Sequence, residues 1–207
     1  HVGQGLDGGD DVDGDGIPDM AVGGWEHRVN AVATGGVWLV SGAYIASLQG
    51  QAIPAETGVA PPEGEIQSFA PFGSTARTLI EGDVAGERFG YSVALAPGIG
   101  PQGTAAIVVG RPLGALSGTL RSGGASIYIY EPAQGDDPGG LKTEPTWILS
   151  GESAHPEAHL GWSVDAISTD SHTFIAVGAL YGESDTPSPS VDTGSAYVLK
   201  LPLWESP

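Results

Sequence analysis

The sequence predicts an all-β fold: a β-propeller, or part of one, of about three four-stranded blades. Two observations carry this reading. Glycine (34 residues) and proline (16) are abundant in a chain of 207 residues and punctuate many short runs of Val, Ile, Ala and Tyr. Those runs also recur in a fixed order, which chance similarity between strands does not explain.

The first element of the unit is clearest in its later copies. The stretch from Glu81 to Ala94 aligns with that from Ser150 to Val164, and both end in a large apolar residue, Gly, an aromatic, Ser and Val. The second element occurs three times, as Met20-Ala21-Val22-Gly23, Ile107-Val108-Val109-Gly110 and Ile175-Ala176-Val177-Gly178. The third is Gly36-Val37-Trp38-Leu39-Val40, then Ala125 to Tyr130, then Ser195-Ala196-Tyr197-Val198-Leu199. The fourth is Thr78 to Gly82, Trp147 to Gly151, and Leu203-Trp204. In the first unit no evident first strand stands in His1 to Leu6, which is rich in glycine. The blades are read as 1–82, 83–151 and 152–207, with an inserted loop at about 42–75. Propellers have about four to eight blades. Three would leave both terminal sheets open, and open edges invite pairing with another chain. Further blades in a longer chain and association of copies are both open at this point.

One loop carries recognisable chemistry. In Asp11-Val12-Asp13-Gly14-Asp15-Gly16-Ile17-Pro18-Asp19, carboxylates occupy positions 1, 3, 5 and 9 and glycine position 6. Calcium takes six to eight oxygens at about 2.3–2.6 Å, and a tightly wound loop turns its odd-numbered residues inward to supply them. Asp11, Asp13 and Asp15 are the expected side-chain ligands, Ile17 offers its backbone carbonyl, and Asp19 closes the shell. An EF-hand needs glutamate at position 12 and flanking helices. Here position 12 is Val22, and Gly23-Gly24 follow. The loop is therefore expected between β-strands. The plain alternative is an acidic surface turn, since Asp and Gly are common turn formers.

Phe89-Gly90, Val22-Gly23-Gly24 and Val109-Gly110-Arg111-Pro112, taken with this loop, resemble the FG-GAP repeat, which builds the propeller of integrin α subunits and of many bacterial surface proteins. In that family a calcium loop of this Asp pattern lies between the first and second strands of a blade. The resemblance implies one structural Ca2+ site and a secreted or cell-surface module for adhesion or recognition of a protein or glycan ligand. Only the first unit keeps the loop. The second, Ala96 to Gly103, has no carboxylate, and the third keeps Asp170 with Asp165 nearby. The rival readings are a polysaccharide-acting hydrolase or lyase, or its accessory domain, and a structural protein that self-assembles through open blade edges.

Composition narrows the classes further. Seven Lys and Arg against 25 Asp and Glu give a net charge of −18, and the cations are scattered. Nucleic acid and anionic membrane need clustered cations and are poor partners. The absence of cysteine excludes disulfides and thiolate metal sites. No apolar run approaches the roughly 20 residues that span a bilayer. The chain starts at His1 without an initiator Met or a signal sequence and reads as a processed or excised piece.

The remaining constellations point away from catalysis. His155-Pro156-Glu157-Ala158-His159 has zinc spacing on a helix, but Pro156 and the alignment put it in a turn. No Ser–His–Asp set is evident, so the chain is read as a binding module and not as an enzyme. Trp25 is the aromatic best placed to meet a ligand. The long connections 42–76, 111–124 and 180–194 read equally as recognition loops and as tolerated surface insertions.

Overall fold

The computed structural model describes residues 1–47, 77–114, 121–133, 139–151, 158–181 and 194–204. It is all-β, as expected; among the described residues three larger antiparallel sheets follow one another along the chain, with two two-stranded ones beside them, and none is closed on itself. The first sheet contains β1 (Leu6–Gly8) and β2 (Met20–Gly24). A small hairpin of β3 (Arg28–Val29) and β4 (Val32–Ala33) leads to β5 (Gly36–Val40), a short helix α1 (Gly42–Ser47) and β6 (Arg77–Glu81). Its strand order is β1-β2-β5-β6. The second sheet is formed by β7 (Ser92–Ala96), β8 (Ala106–Gly110) and β9 (Gly124–Tyr128). After the pair β10 (Tyr130–Glu131) and β11 (Gly140–Leu141), β12 (Trp147–Ser150) completes the order β7-β8-β9-β12. The third sheet is β13 (Leu160–Ser168), β14 (His172–Ala179) and β15 (Ser195–Pro202), in that order.

Two elements differ from the sequence reading. The first sheet does have a strand before the acidic loop, at its edge: β1 pairs Leu6 with Val22, Asp7 with Ala21 and Gly8 with Met20. It is only three residues long and flanked by glycine, so no period-2 alternation could reveal it. Leu203 and Trp204, expected as the last strand of the third unit, do not form one. Pro202 ends β15, and Trp204 donates its N–H to Gly98 O, in the connection between the second sheet's first two strands, at 2.8 Å. Of the inserted loop, Gly42–Ser47 are helical and the rest lies outside the described residues.

Apolar side chains fill the two spaces between sheets. Ala21, Val37, Leu39 and Ile80 of the first sheet meet Val93, Leu95, Ile107 and Val109 of the second, with Phe89 and Val12 at the margins. The opposite face of the second sheet sets Ala94, Ala106, Val108 and Ile127 against Ile175, Val177 and Ala179. Since β8 is buried on both faces, its sequence is continuously apolar instead of alternating.

Glycine permits the backbones at these junctions to touch. Phe89 forms a parallel bridge with Gly35, and Leu160 forms one with Gly123. The following glycine has φ of +81° at Gly90 and +87° at Gly161. A Cβ would lie 2.4 Å from Gly36 O at the first and 2.0 Å from Gly124 O at the second. No side chain fits there, which is the physical basis of the repeated apolar–Gly pair.

Candidate metal centre

The acidic loop joins β1 to β2. Asp19 N–H donates to Asp10 O at 2.9 Å, and Gly9 N–H donates to Asp19 O at 3.2 Å, closing its base. Inside, the carboxylates wind the chain around themselves. Asp11 accepts from Gly14 N–H at 2.7 Å and from Gly16 N–H at 2.8 Å. Asp13 accepts from Asp15 N–H at 3.2 Å, and Asp15 from Ile17 N–H at 2.8 Å. Such local side-chain-to-backbone bonds are the turn chemistry of aspartate. They draw one carboxylate oxygen each from Asp11, Asp13 and Asp15 to within 4.8 Å of one another. Three convergent anionic oxygens match the preference of a hard cation.

Asp19 stands outside that group. Its Oδ2 accepts from Val12 N–H at 2.9 Å and Asp13 N–H at 3.2 Å, and its Oδ1 accepts from Gly42 N–H at 2.8 Å. Only 2% of the residue is exposed. Asp19 thus ties both ends of the loop to the start of α1. Gly42 must be glycine for this approach, because a Cβ there would lie 2.0 Å from Pro18 O. Ile17 has its N–H engaged by Asp15 and its side chain exposed.

The crowding of carboxylates appears in their protonation. Burial pushes Asp13 up to about 6, helped by the charges of Asp19, Asp15 and Asp11 and opposed by the Asp15 N–H. Burial also raises Asp19, though three N–H donors oppose it, and burial with the nearby Asp7 charge raises Asp10. Among the described residues no ion pair reaches the loop. A divalent cation would supply the missing positive charge.

The loop is also seated on the second sheet. Val12 is fully buried in the first inter-sheet core, and Ala105 N–H donates to Asp11 O at 2.8 Å. Order in the loop therefore bears on the packing of two sheets.

The other expected sites are not assembled in this way. Asp165 lies within β13, where its carboxylate accepts from Ala166 N–H at 2.9 Å. The turn holding Asp170 is closed by Thr169 and His172, whose N–H and C=O pair at 2.8 Å. Asp165 and Asp170 join no cluster of metal-ligating groups among the described residues. His155, Pro156 and Glu157 lie outside the described residues. His159 packs its ring against Trp162 and Tyr181. Trp25 is engaged within the chain: His1 stacks on it at 5.2 Å, the Arg88 guanidinium lies 4.8 Å from its centroid, and Nε1 donates to Gln4 Oε1 at 2.8 Å.

Sequence reasoning missed two groupings. One is a buried ion pair, Arg111 Nη1 to Glu87 Oε2 at 3.2 Å, with the exposed Asp83 at 3.6 Å. Its only signal was an arginine directly after an apolar strand. The other is a run of rings crossing all three sheets at the end of the edge strands β1, β7 and β13 away from the acidic loop. In it Trp25 meets Tyr91 at 6.3 Å, Tyr91 meets Trp162 at 4.7 Å, and His159 lies between Trp162 and Tyr181. The aromatic after each repeated glycine hinted at it. Neither family models nor curated proteins match this chain.

Proposed function

We propose that the chain is a calcium-binding module of an FG-GAP-like β-propeller, secreted or at the cell surface, which recognises a protein or glycan ligand. The observation that carries the reading is the convergence of Asp11, Asp13 and Asp15 oxygens within 4.8 Å in a loop between the first two strands of a four-stranded sheet. Three consecutive antiparallel meanders packed face to face support the propeller. The calcium role is structural. With Val12 buried and Asp11 O bonded to Ala105, an ion that stiffens the loop stiffens the junction of two sheets. The aromatic run offers the recognition face, because rigid rings supply contact area at small entropic cost.

Calorimetric unfolding with calcium and with chelator tests this. An extracellular site binding at about 10⁻⁴ to 10⁻³ M, saturated at about 10 mM, adds about 1.4–2.7 kcal/mol. For a chain of this size that raises Tm by roughly 3–10 °C. Identical unfolding in calcium and in chelator would reject the site.

A further inference from the structure

Two junctions in this chain share their glycine contacts, and each adds one polar side-chain contact across it. At the first, Asp7 Oδ1 accepts from Gly8 N–H at 2.9 Å while its Oδ2 accepts from Leu95 N–H, on the next sheet, at 2.7 Å. At the second, Ser92 Oγ donates to Gly161 O at 2.9 Å. Gly23 lies against Gly90 O and Gly110 against Gly161 O, each 2.2 Å from where a Cβ would stand.

The outward face of the third sheet repeats these features. Asp165 lies opposite Ala176 as Asp7 lies opposite Ala21, and its Oδ1 likewise accepts from the next N–H, at 2.9 Å. Ser163 pairs with Gly178 as Ser92 pairs with Gly110. Gly194, at φ +66°, directly precedes β15 as Gly35 and Gly123 precede β5 and β9. Val198 holds the register of Leu39 and Ile127. Those two are 4% and 0% exposed, whereas Val198 is 66% exposed. Among the described residues nothing is seated on this face.

The first sheet begins with the complementary part. Gly3 has φ of +86°, and its N–H donates to Gly23 O at 2.8 Å, as Gly90 N–H donates to Gly110 O at 3.1 Å. Val2 precedes it as Phe89 precedes Gly90. A Cβ at Gly3 would meet nothing within 4 Å, so this turn rests on no neighbouring sheet. Leu6, in the register of the buried Val93, is 59% exposed.

We propose that the third sheet of one copy of this chain receives the Val2–Gly3 turn and first strand of a second copy, head to tail. Asp165 would accept an N–H of the incoming strand, Ser163 would donate to Gly3 O, and Val198 would be covered. Two copies of three sheets make six in succession, within the range of closed propellers. Two identical heterologous junctions then close under a two-fold axis. The junction rests on the repeated geometry alone, and only the closed ring rests on the propeller reading.

Sedimentation velocity of the chain at roughly 100 µM, with and without calcium, tests the proposal. The expected mass is twice the 20.9 kDa of one chain. Leu6→Glu and Val198→Glu alter side chains exposed in a single copy, so circular dichroism should be unchanged. Each should weaken pairing at least about 30-fold. Mixing the two variants should restore pairs, because one of the two junctions then has native residues on both sides. A single-chain mass for the unsubstituted protein would overturn the proposal and leave the calcium titration unaffected. Pairs indifferent to Leu6→Glu would also overturn it, since third sheets would then be meeting each other. Species heavier than a pair would overturn the closed ring.

Discussion

Asp19 holds Gly42 across 23 residues, its Oδ1 accepting the Gly42 N–H at 2.8 Å while its Oδ2 serves Val12 and Asp13. One carboxylate thus fixes the floor of the acidic loop and the entry to α1. Asp15 has a different position, exposed at the rim with a carboxylate that bonds only locally. The two should separate in mutagenesis. Asp19→Ala strands buried N–H donors and should lower stability by about 3 kcal/mol even in chelator. Asp15→Ala should change stability in chelator by less than about 0.5 kcal/mol and should abolish the gain from calcium. Urea unfolding in chelator and in calcium reads both. Equal losses in chelator would show that the loop has no division between post and ligands.

The pH dependence of the metal-free protein follows from Asp13. Its carboxyl is pushed up to about 6 in the folded chain from an ordinary value of 3.8. Between these values the folded state binds more protons than the unfolded one, so stability falls as pH rises. The contribution is fully present below 3.8 and is lost as pH rises through about 6. Metal-free protein should therefore melt at a higher temperature near pH 5 than near pH 7 through this group, and Asp13→Asn should flatten the difference. Calcium binds the ionised form, so the stabilisation it adds should grow over the same interval. Melting curves at the two pH values, with and without calcium, check both signs.

Glu87 and Arg111 are both buried and joined at 3.2 Å. Removing one partner of such a pair leaves a charge without compensation in a poorly solvated site. Glu87→Ala should destabilise by about 3 kcal/mol, while Asp83→Ala, at the exposed side of the same arginine, should change stability by less than about 1 kcal/mol. Denaturant unfolding of the two variants measures the contrast.

Much of the strand order was legible because each second and third strand is a short apolar run ending or beginning at glycine, as Val22-Gly23, Val109-Gly110 and Val177-Gly178 show. The residues of the acidic cluster were legible for a similar reason: turn spacing alone brings Asp11, Asp13 and Asp15 together. What could not be read depends on distant chain. Position 9 of the loop suits a ligand and an N–H acceptor equally, and the bond from Gly42, distant in sequence, could not be read there. Glu87 and Arg111 look like surface charges until the sheets pack over them. β1 was hidden because three residues carry no period.

The junction glycines permit a controlled test of why they are glycine. Gly90 and Gly86 have nearly the same backbone, φ +81° and +79°. A Cβ at Gly86 would meet nothing within 4 Å, whereas at Gly90 it would lie 2.4 Å from Gly36 O. Gly86→Ala therefore isolates the left-handed conformation and should cost about 1–2 kcal/mol. Gly90→Ala adds a collision between the backbones of two sheets, which neither can relieve without opening the core around Phe89. It should cost at least about 4 kcal/mol. Unfolding curves for the two variants give the difference directly. If they agree, backbone conformation alone selects glycine, and the close approach of the sheets plays no part.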